Sequence, residues 1–153
     1  MSSSRDSSNV LMTQAFFEKA YPEPKNKNIH TQLGVHFEEV AEMLDAMDSH
    51  NPVTRILMAK TKDALENLAA HLKKSDDILI IDNREMFLDG LCDQIVTAVG
   101  VGHMLSMDVP GGLGEVNESN DSKFGPKGEP IFDENQKLMK GPEYFKPNLT
   151  PYV

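Results

Sequence analysis

The chain has a single cysteine, Cys92, among 153 residues, so an intrachain disulfide and any cysteine-built zinc cluster are excluded. Within its apolar segment that thiol is expected as a small core residue rather than a reactive group. No apolar run approaches the roughly 20 residues a membrane span requires, and the start carries no basic-then-apolar leader; a cytoplasmic protein is expected. Positive charge is scarce as well. Lys and Arg number 15 against 24 Asp and Glu, a formal charge of −9, the wrong sign for a nucleic-acid or anionic-membrane surface. Such a chain meets a polyanion only with cations between the two. Familiar nucleotide signatures are missing too: there is no glycine-rich loop ending in Gly-Lys-Ser/Thr and no dinucleotide fingerprint after a strand. Asp133-x-Asn135-x-Lys137 breaks the calcium-loop pattern at its third ligand and lacks the glycine. His30, His36, His50, His71 and His103 are scattered without metal-ligand spacing. No internal repeat is present.

The length suits one domain with a modest core. Residues 1–8 are serine-rich and expected to lack order, 9–123 form a helical domain, and 124–153 an irregular tail packing on it. Helical spacing runs from Val10 to Ala20 and stops before Pro22, and Tyr21 to Asn28 reads as a loop. A helix is expected from about Thr31 to Asp48, with Leu33, Phe37, Val40, Leu44 and Met47 as its apolar stripe. Asn51-Pro52 starts the next helix, which reaches about Lys73 and buries Leu57, Ala64, Leu65, Leu68 and Leu72. Ile78 to Ile81 is too short to assign between strand and connector. Asp82 or Asn83 caps a helix to about Ser106 that buries Leu88, Leu91, Ile95 and Val99. Gly100 and Gly102 within it suggest either close backbone approach or simple tolerance. A short helix over Asp108 to Asn120 follows, and Ile131-Phe132 with Leu138-Met139 outline a small hairpin. The fold class is all-α, four to five helices with an irregular C-terminal tail.

Two acidic clusters stand out: Glu38-Glu39-x-x-Glu42 and Asp89-x-x-x-Asp93. Residues three or four apart stack on one side of a helix, so each cluster concentrates like charge. For the first, a solvated face of an ordinary amphipathic helix accounts for the pattern, since Glu38 and Glu42 lie nearly opposite the apolar stripe. The second is harder to treat so: Asp89 and Asp93 are the only formal charges between Phe87 and Leu105. Acids in such a helix are seldom left unpaired, and a divalent cation is the usual partner.

These clusters, followed by Glu115-Val116-Asn117-x-Ser119-Asn120-x-Ser122-Lys123-Phe124, resemble the all-α nucleoside triphosphate pyrophosphohydrolases, the MazG-like and phosphoribosyl-ATP pyrophosphohydrolase-like proteins. The run Lys137-Leu138-Met139-Lys140-Gly141-Pro142-Glu143-Tyr144-Phe145-Lys146-Pro147 is similar to the tail of the latter branch, often phage-encoded, for which the location would be the host cytoplasm. The likeness covers about Thr31 to Leu149. In one place the chain departs: the family's second motif is usually Glu-x-x-Asp, whereas Gly90 stands three before Asp93 and the acid is Asp89, with Glu85 one turn further back as a substitute.

The resemblance implies hydrolysis of the α–β phosphate bond of a (deoxy)nucleoside triphosphate to monophosphate and pyrophosphate, with Mg²⁺, or Mn²⁺ in its place, as cofactor. It assigns Glu39, Glu42, Asp89 and Asp93 to the metal and Glu38 to activating water or a second metal. Asn120, Lys123, Lys137 and Lys140 would contact the phosphates. It also implies a homodimer or homotetramer, in keeping with helices too few to bury both faces of one another. The expected partner is the nucleotide, not nucleic acid or membrane. Alternatives are a phosphoribosyl-ATP hydrolase, ranked lower for the long tail and the insertion between the acidic clusters, and a non-catalytic helical interaction protein keeping the fold.

Overall fold

The computed structural model describes residues 3–153, with side chains from Ser8 onward. It is all-α: α1 (Ser3–Ala20), α2 (Asn26–Asp45), α3 (Pro52–Lys74), α4 (Arg84–Met104) and α5 (Val109–Asp121), then an irregular tail ending in a 3₁₀ turn, Thr150–Tyr152, with no strand among the described residues. Of the segment expected to lack order, Met1 and Ser2 lie outside the described residues, and α1 begins at Ser3. No described helix is long and apolar enough to cross a membrane. The chain divides into two compact units, one made of Met1–Pro22, Ile80–Ile131 and Leu138–Val153, the other of Glu23–Leu79 and Phe132–Lys137.

The second unit is built on the α2–α3 hairpin. α2 starts earlier than periodicity indicates because the Asn28 side chain accepts from the Lys25 backbone N–H at 2.8 Å, satisfying a donor ahead of the first turn. α3 starts as expected: Asn51 Oδ1 accepts from the Val53 and Thr54 amides at 2.9 and 3.3 Å, with Pro52 at the first position. The two helices meet closely where Gly34 lies against Ala69 and Lys73, and Ala41 on α2 and Leu72 on α3 are buried as well. A Cβ at Gly34 would lie 2.9 Å from the Ala69 carbonyl oxygen and 2.7 Å from Lys73 Cγ, so only glycine permits this approach. The stripe Leu33, Phe37, Val40 and Leu44 is consequently only half-buried, and Leu57, Ala64 and Leu68, expected in the core, are exposed.

Polar groups complete this hairpin. The Lys27 ammonium donates to the Lys73 and Ser75 carbonyls at 2.7 and 3.1 Å, capping the end of α3 where carbonyls lack intrahelical donors. His30 is fully buried, with Nδ1 at 3.0 Å from the Asn26 carbonyl and Nε2 at 3.0 Å from the Asp77 carboxylate. The Ser75 hydroxyl, and then His30, hold the Asp77 carboxyl below its usual range. Thr31 Oγ1 donates to the Asn135 carbonyl at 2.6 Å.

In the first unit, Phe16, Ala20 and Phe124 form the core with Phe17, Tyr21 and Leu138 against it. Phe16 and Phe124 meet edge-to-face, 5.5 Å between centroids, and Lys19 sits over the Phe124 ring at 3.9 Å. α1 and α5 are clasped by Asn117, which accepts from Thr13 Oγ1 and donates to the Asn9 carbonyl, both at 2.8 Å. α4 is capped by Asn83, whose Oδ1 accepts from the Met86 amide at 2.9 Å. Leu88, Ile95 and Val99, expected in its buried face, are exposed, and so is Cys92, which is therefore not a core residue. Gly102 abuts Val109 while Gly100 has nothing near it, so close approach holds for one and tolerance for the other. Ile78 to Ile81 forms a connector, with Ile78 and Ile80 exposed. The small hairpin forms: Met139 donates to the Ile131 carbonyl at 2.7 Å and Asp133 to that of Lys137 at 3.0 Å, with Gln136 at φ 64° in the turn.

Candidate functional site

Three of the expected site residues lie along α2 and meet different surroundings. Glu38 is half-buried and held by two cations: Lys73 Nζ at 2.7 Å and Lys137 Nζ at 3.4 Å. Its carboxyl is held below the usual range, chiefly by the hydrogen bond from Lys73 working against the desolvation of its partly buried position, with the Lys137 charge adding to the lowering. Both lysines reach it because α3 ends beside the middle of α2 and the Asp133–Lys137 turn is closed by its own hydrogen bonds, Asp133 Oδ1 accepting from the Asn135 and Lys137 amides at 2.8 and 2.9 Å. Glu39 and Glu42 are exposed on the same helix. Lys137, expected at the phosphates, is thus already on a carboxylate.

In the first unit, Asp89 and Asp93 are both exposed, one turn apart on α4, and neither enters an ion pair among the described residues. The motif along α5 separates into two kinds of residue. Glu115 Oε1 accepts from the Asn148 amide at 2.7 Å, Ser119 Oγ donates to the Phe145 carbonyl at 2.8 Å, and Ser122 Oγ accepts from the Phe145 amide at 3.1 Å. With Asn117 and Phe124, these fasten the tail and α1 onto α5. Asn120 and Lys123 are half-buried at the end of the helix, where the Lys123 carbonyl accepts from the Gly141 amide at 2.9 Å. Lys140 is exposed, its ammonium 4.7 Å from the centroid of the Tyr144 ring.

The donors on α2 and α4 are all carboxylate oxygens, the type a hard cation such as Mg²⁺ takes. Within neither unit do three His, Cys, Asp or Glu side chains converge among the described residues. Each helix by itself offers a pair. Sequence reasoning missed Lys73, His30 and Asn117. Lys73 read as one of several cations in the last turn of a helix, and nothing local marks which of them turns inward. His30 and Asn117 are single polar residues whose partners lie far along the chain, Asp77 and Asn9.

No protein-family model matches the chain, and no curated protein does. Among solved structures, the fold is similar to that of a protein from Exiguobacterium sp. 255-15 described as a "putative NTP pyrophosphohydrolase". The TM-score is 0.58 over 91% of this chain and 88% of that one, at 20% sequence identity. At that identity the likeness establishes a shared all-helical fold.

Proposed function

We propose that the chain is a Mg²⁺-dependent nucleoside triphosphate pyrophosphohydrolase. The observation that carries the reading is the fold, shared over nine-tenths of the chain with a protein described as a "putative NTP pyrophosphohydrolase". The exposed carboxylates of α2 and α4 support it, because acids at helical spacing on a chain of charge −9 favour a cation as partner. Glu39 and Glu42 on one helix and Asp89 and Asp93 on another are the carboxylates proposed to hold Mg²⁺, with Mn²⁺ able to replace it. The metal would neutralise phosphate charge. Asn120, Lys123 and Lys140 are proposed to contact phosphate oxygens, by amide and charge-assisted hydrogen bonds. Water would attack the α-phosphorus and break the α–β anhydride, leaving monophosphate and pyrophosphate, with no covalent intermediate.

Glu38 takes a modified part in this proposal. A general base works best with a proton affinity near the working pH, and Lys73 and Lys137 move Glu38 the other way. A triphosphate competing for those two ammonium groups would release the carboxylate to orient water. The test is pyrophosphate release from a panel of ribo- and deoxyribonucleoside triphosphates and phosphoribosyl-ATP, with Mg²⁺ and with chelator. Release that is abolished by chelator and restored by Mg²⁺ is the expected result. Absence of release from every nucleotide would leave a helical interaction protein as the reading.

A further inference from the structure

We infer that His30 is a pH-operated latch: with a proton on each ring nitrogen it ties the segment after α3 to the start of α2, and on losing one of them it releases that segment. The ring is fully buried. Nδ1 lies 3.0 Å from the Asn26 carbonyl oxygen, and Nε2 lies 3.0 Å from a carboxylate oxygen of Asp77. A carbonyl and an ionised carboxylate can only accept, and a neutral imidazole has one N–H to offer. Both contacts are therefore hydrogen bonds only when the ring is the imidazolium. The neutral ring leaves a nitrogen lone pair facing an oxygen lone pair away from water, which costs free energy.

The proton has one other place to go, the Asp77 carboxyl, and the surroundings oppose it. The Ser75 hydroxyl, which donates to the same carboxylate, and then His30 itself hold that carboxyl below its usual range. The Asp77 side chain is 67% exposed, so the anion keeps water on its outer side while the buried cation is paired. Other charges on the elements around the ring are engaged elsewhere or exposed. Lys27 on α2 donates to the Lys73 and Ser75 carbonyls and lies 3.7 Å from Asp76. Lys73 at the end of α3 is on Glu38, while His71 and Lys74 are exposed. In the 133–137 turn, which reaches α2 at Thr31, Asp133 accepts from backbone amides, Lys137 is on Glu38 and Glu134 is exposed.

The latch is closed on the acid side of the His30 titration and opens as pH rises through it. It opens again at the acid extreme, as pH falls through the lowered Asp77 value and the carboxylate is lost. With the ring neutral, the segment keeps only weaker ties to α2, among them Asn26 Nδ2 on the Asp77 carbonyl at 2.9 Å. The inference is independent of the catalytic reading, and its test uses no activity.

Nitrogen NMR of the labelled full chain, from about pH 5 to about pH 9, reads both the ring and the segment. His30 should show two protonated ring nitrogens on the acid side. Loss of one should coincide with a fall in the amide order parameters of residues 75–79, from about 0.85 toward 0.6, while the middle of α3 stays rigid. Asp77→Asn, at an exposed position, removes the anion and should move the His30 step to lower pH by about one unit or more. The exposed His50 and His103 should not move. His30→Gln identifies the ring signals and should leave residues 75–79 mobile at every pH; should it fail to fold, Asp77→Asn decides. A ring that carries one N–H, or two, across the whole range overturns the inference. So does a step that leaves residues 75–79 unchanged, or one that Asp77→Asn does not move.

Discussion

Glu38 lies between two ammonium groups, which ties its ionisation to folding. The folded carboxyl titrates below its unfolded value of 4.5. Its contribution is therefore complete above that pH and drains as pH falls through the lower folded value. Lys73→Met should raise the Glu38 carboxyl toward its ordinary range and lower stability at pH 7 by about 1 kcal/mol, with the difference from wild type shrinking as pH falls below 4.5. Lys137→Met, removing the longer contact of 3.4 Å, should do less. Urea unfolding at pH 7 and below pH 4.5, with an NMR titration of the side chain, would check this. Asn117 presents the other kind of polar residue, buried with both amide atoms engaged. Asn117→Ala removes both bonds, although the Thr13 hydroxyl still donates to the Asn9 carbonyl at 3.1 Å, and should cost about 1–2 kcal/mol. Thermal melts should show it, and Asn117→Asp should cost less if the Thr13 bond is the larger part.

At the scale of elements, the α2–α3 hairpin shows what periodicity detects and what it passes over. A hydrophobic stripe marks a helix: α3 is where its stripe puts it, whereas α2 begins at Asn26, ahead of the expected Thr31. The face that α2 lays on α3 is set instead where Gly34 lies against Ala69, and by the polar side chains flanking it: Lys27, Glu38 and Asp45. Glycine and alanine register weakly in an apolar count, so Leu57 and Leu68 were expected in a contact that Ala69 makes. The caps of α3 and α4 were legible, at Asn51 and as one of the pair Asp82 and Asn83, because their chemistry is local. The pairing of Lys73 and Lys137 with Glu38 was not, since it joins residues 35 and 99 positions away. The carboxylate pairs were legible as helical spacing, but their ligands are a matter of tertiary placement. Gly34→Ala puts a methyl group against the Ala69 carbonyl and Lys73, forcing the helices apart. It should destabilise by about 1–3 kcal/mol despite better helix propensity. Chemical denaturation would read this, and an increase in stability would show that the hairpin yields without cost.

Taken whole, the molecule carries a charge of −9, and that makes cation binding measurable without any assay of turnover. Self-repulsion among surplus carboxylates weakens the compact state, so any salt stabilises somewhat by screening over about 10 Å at 0.1 M ionic strength. A general effect of this kind is the same for Na⁺ and Mg²⁺ at matched ionic strength. A cation held by the carboxylates proposed on α2 and α4 would add a second, specific increment, because an ion that binds the folded chain and not the unfolded one raises the unfolding free energy by mass action. At concentrations well above its dissociation constant, Mg²⁺ should contribute roughly 1–3 kcal/mol beyond the matched Na⁺ control. Asp93→Asn should remove most of that excess and leave the screening response intact, Asp89→Asn should remove less, and Glu85→Gln should remove little. A larger loss from Glu85→Gln than from Asp89→Asn would move the fourth ligand one turn toward the start of α4. Identical melting curves in Mg²⁺ and in Na⁺ at equal ionic strength, with and without nucleotide, would show that the acids of α2 and α4 are solvated faces, and the Mg²⁺-dependent reading would fall with them.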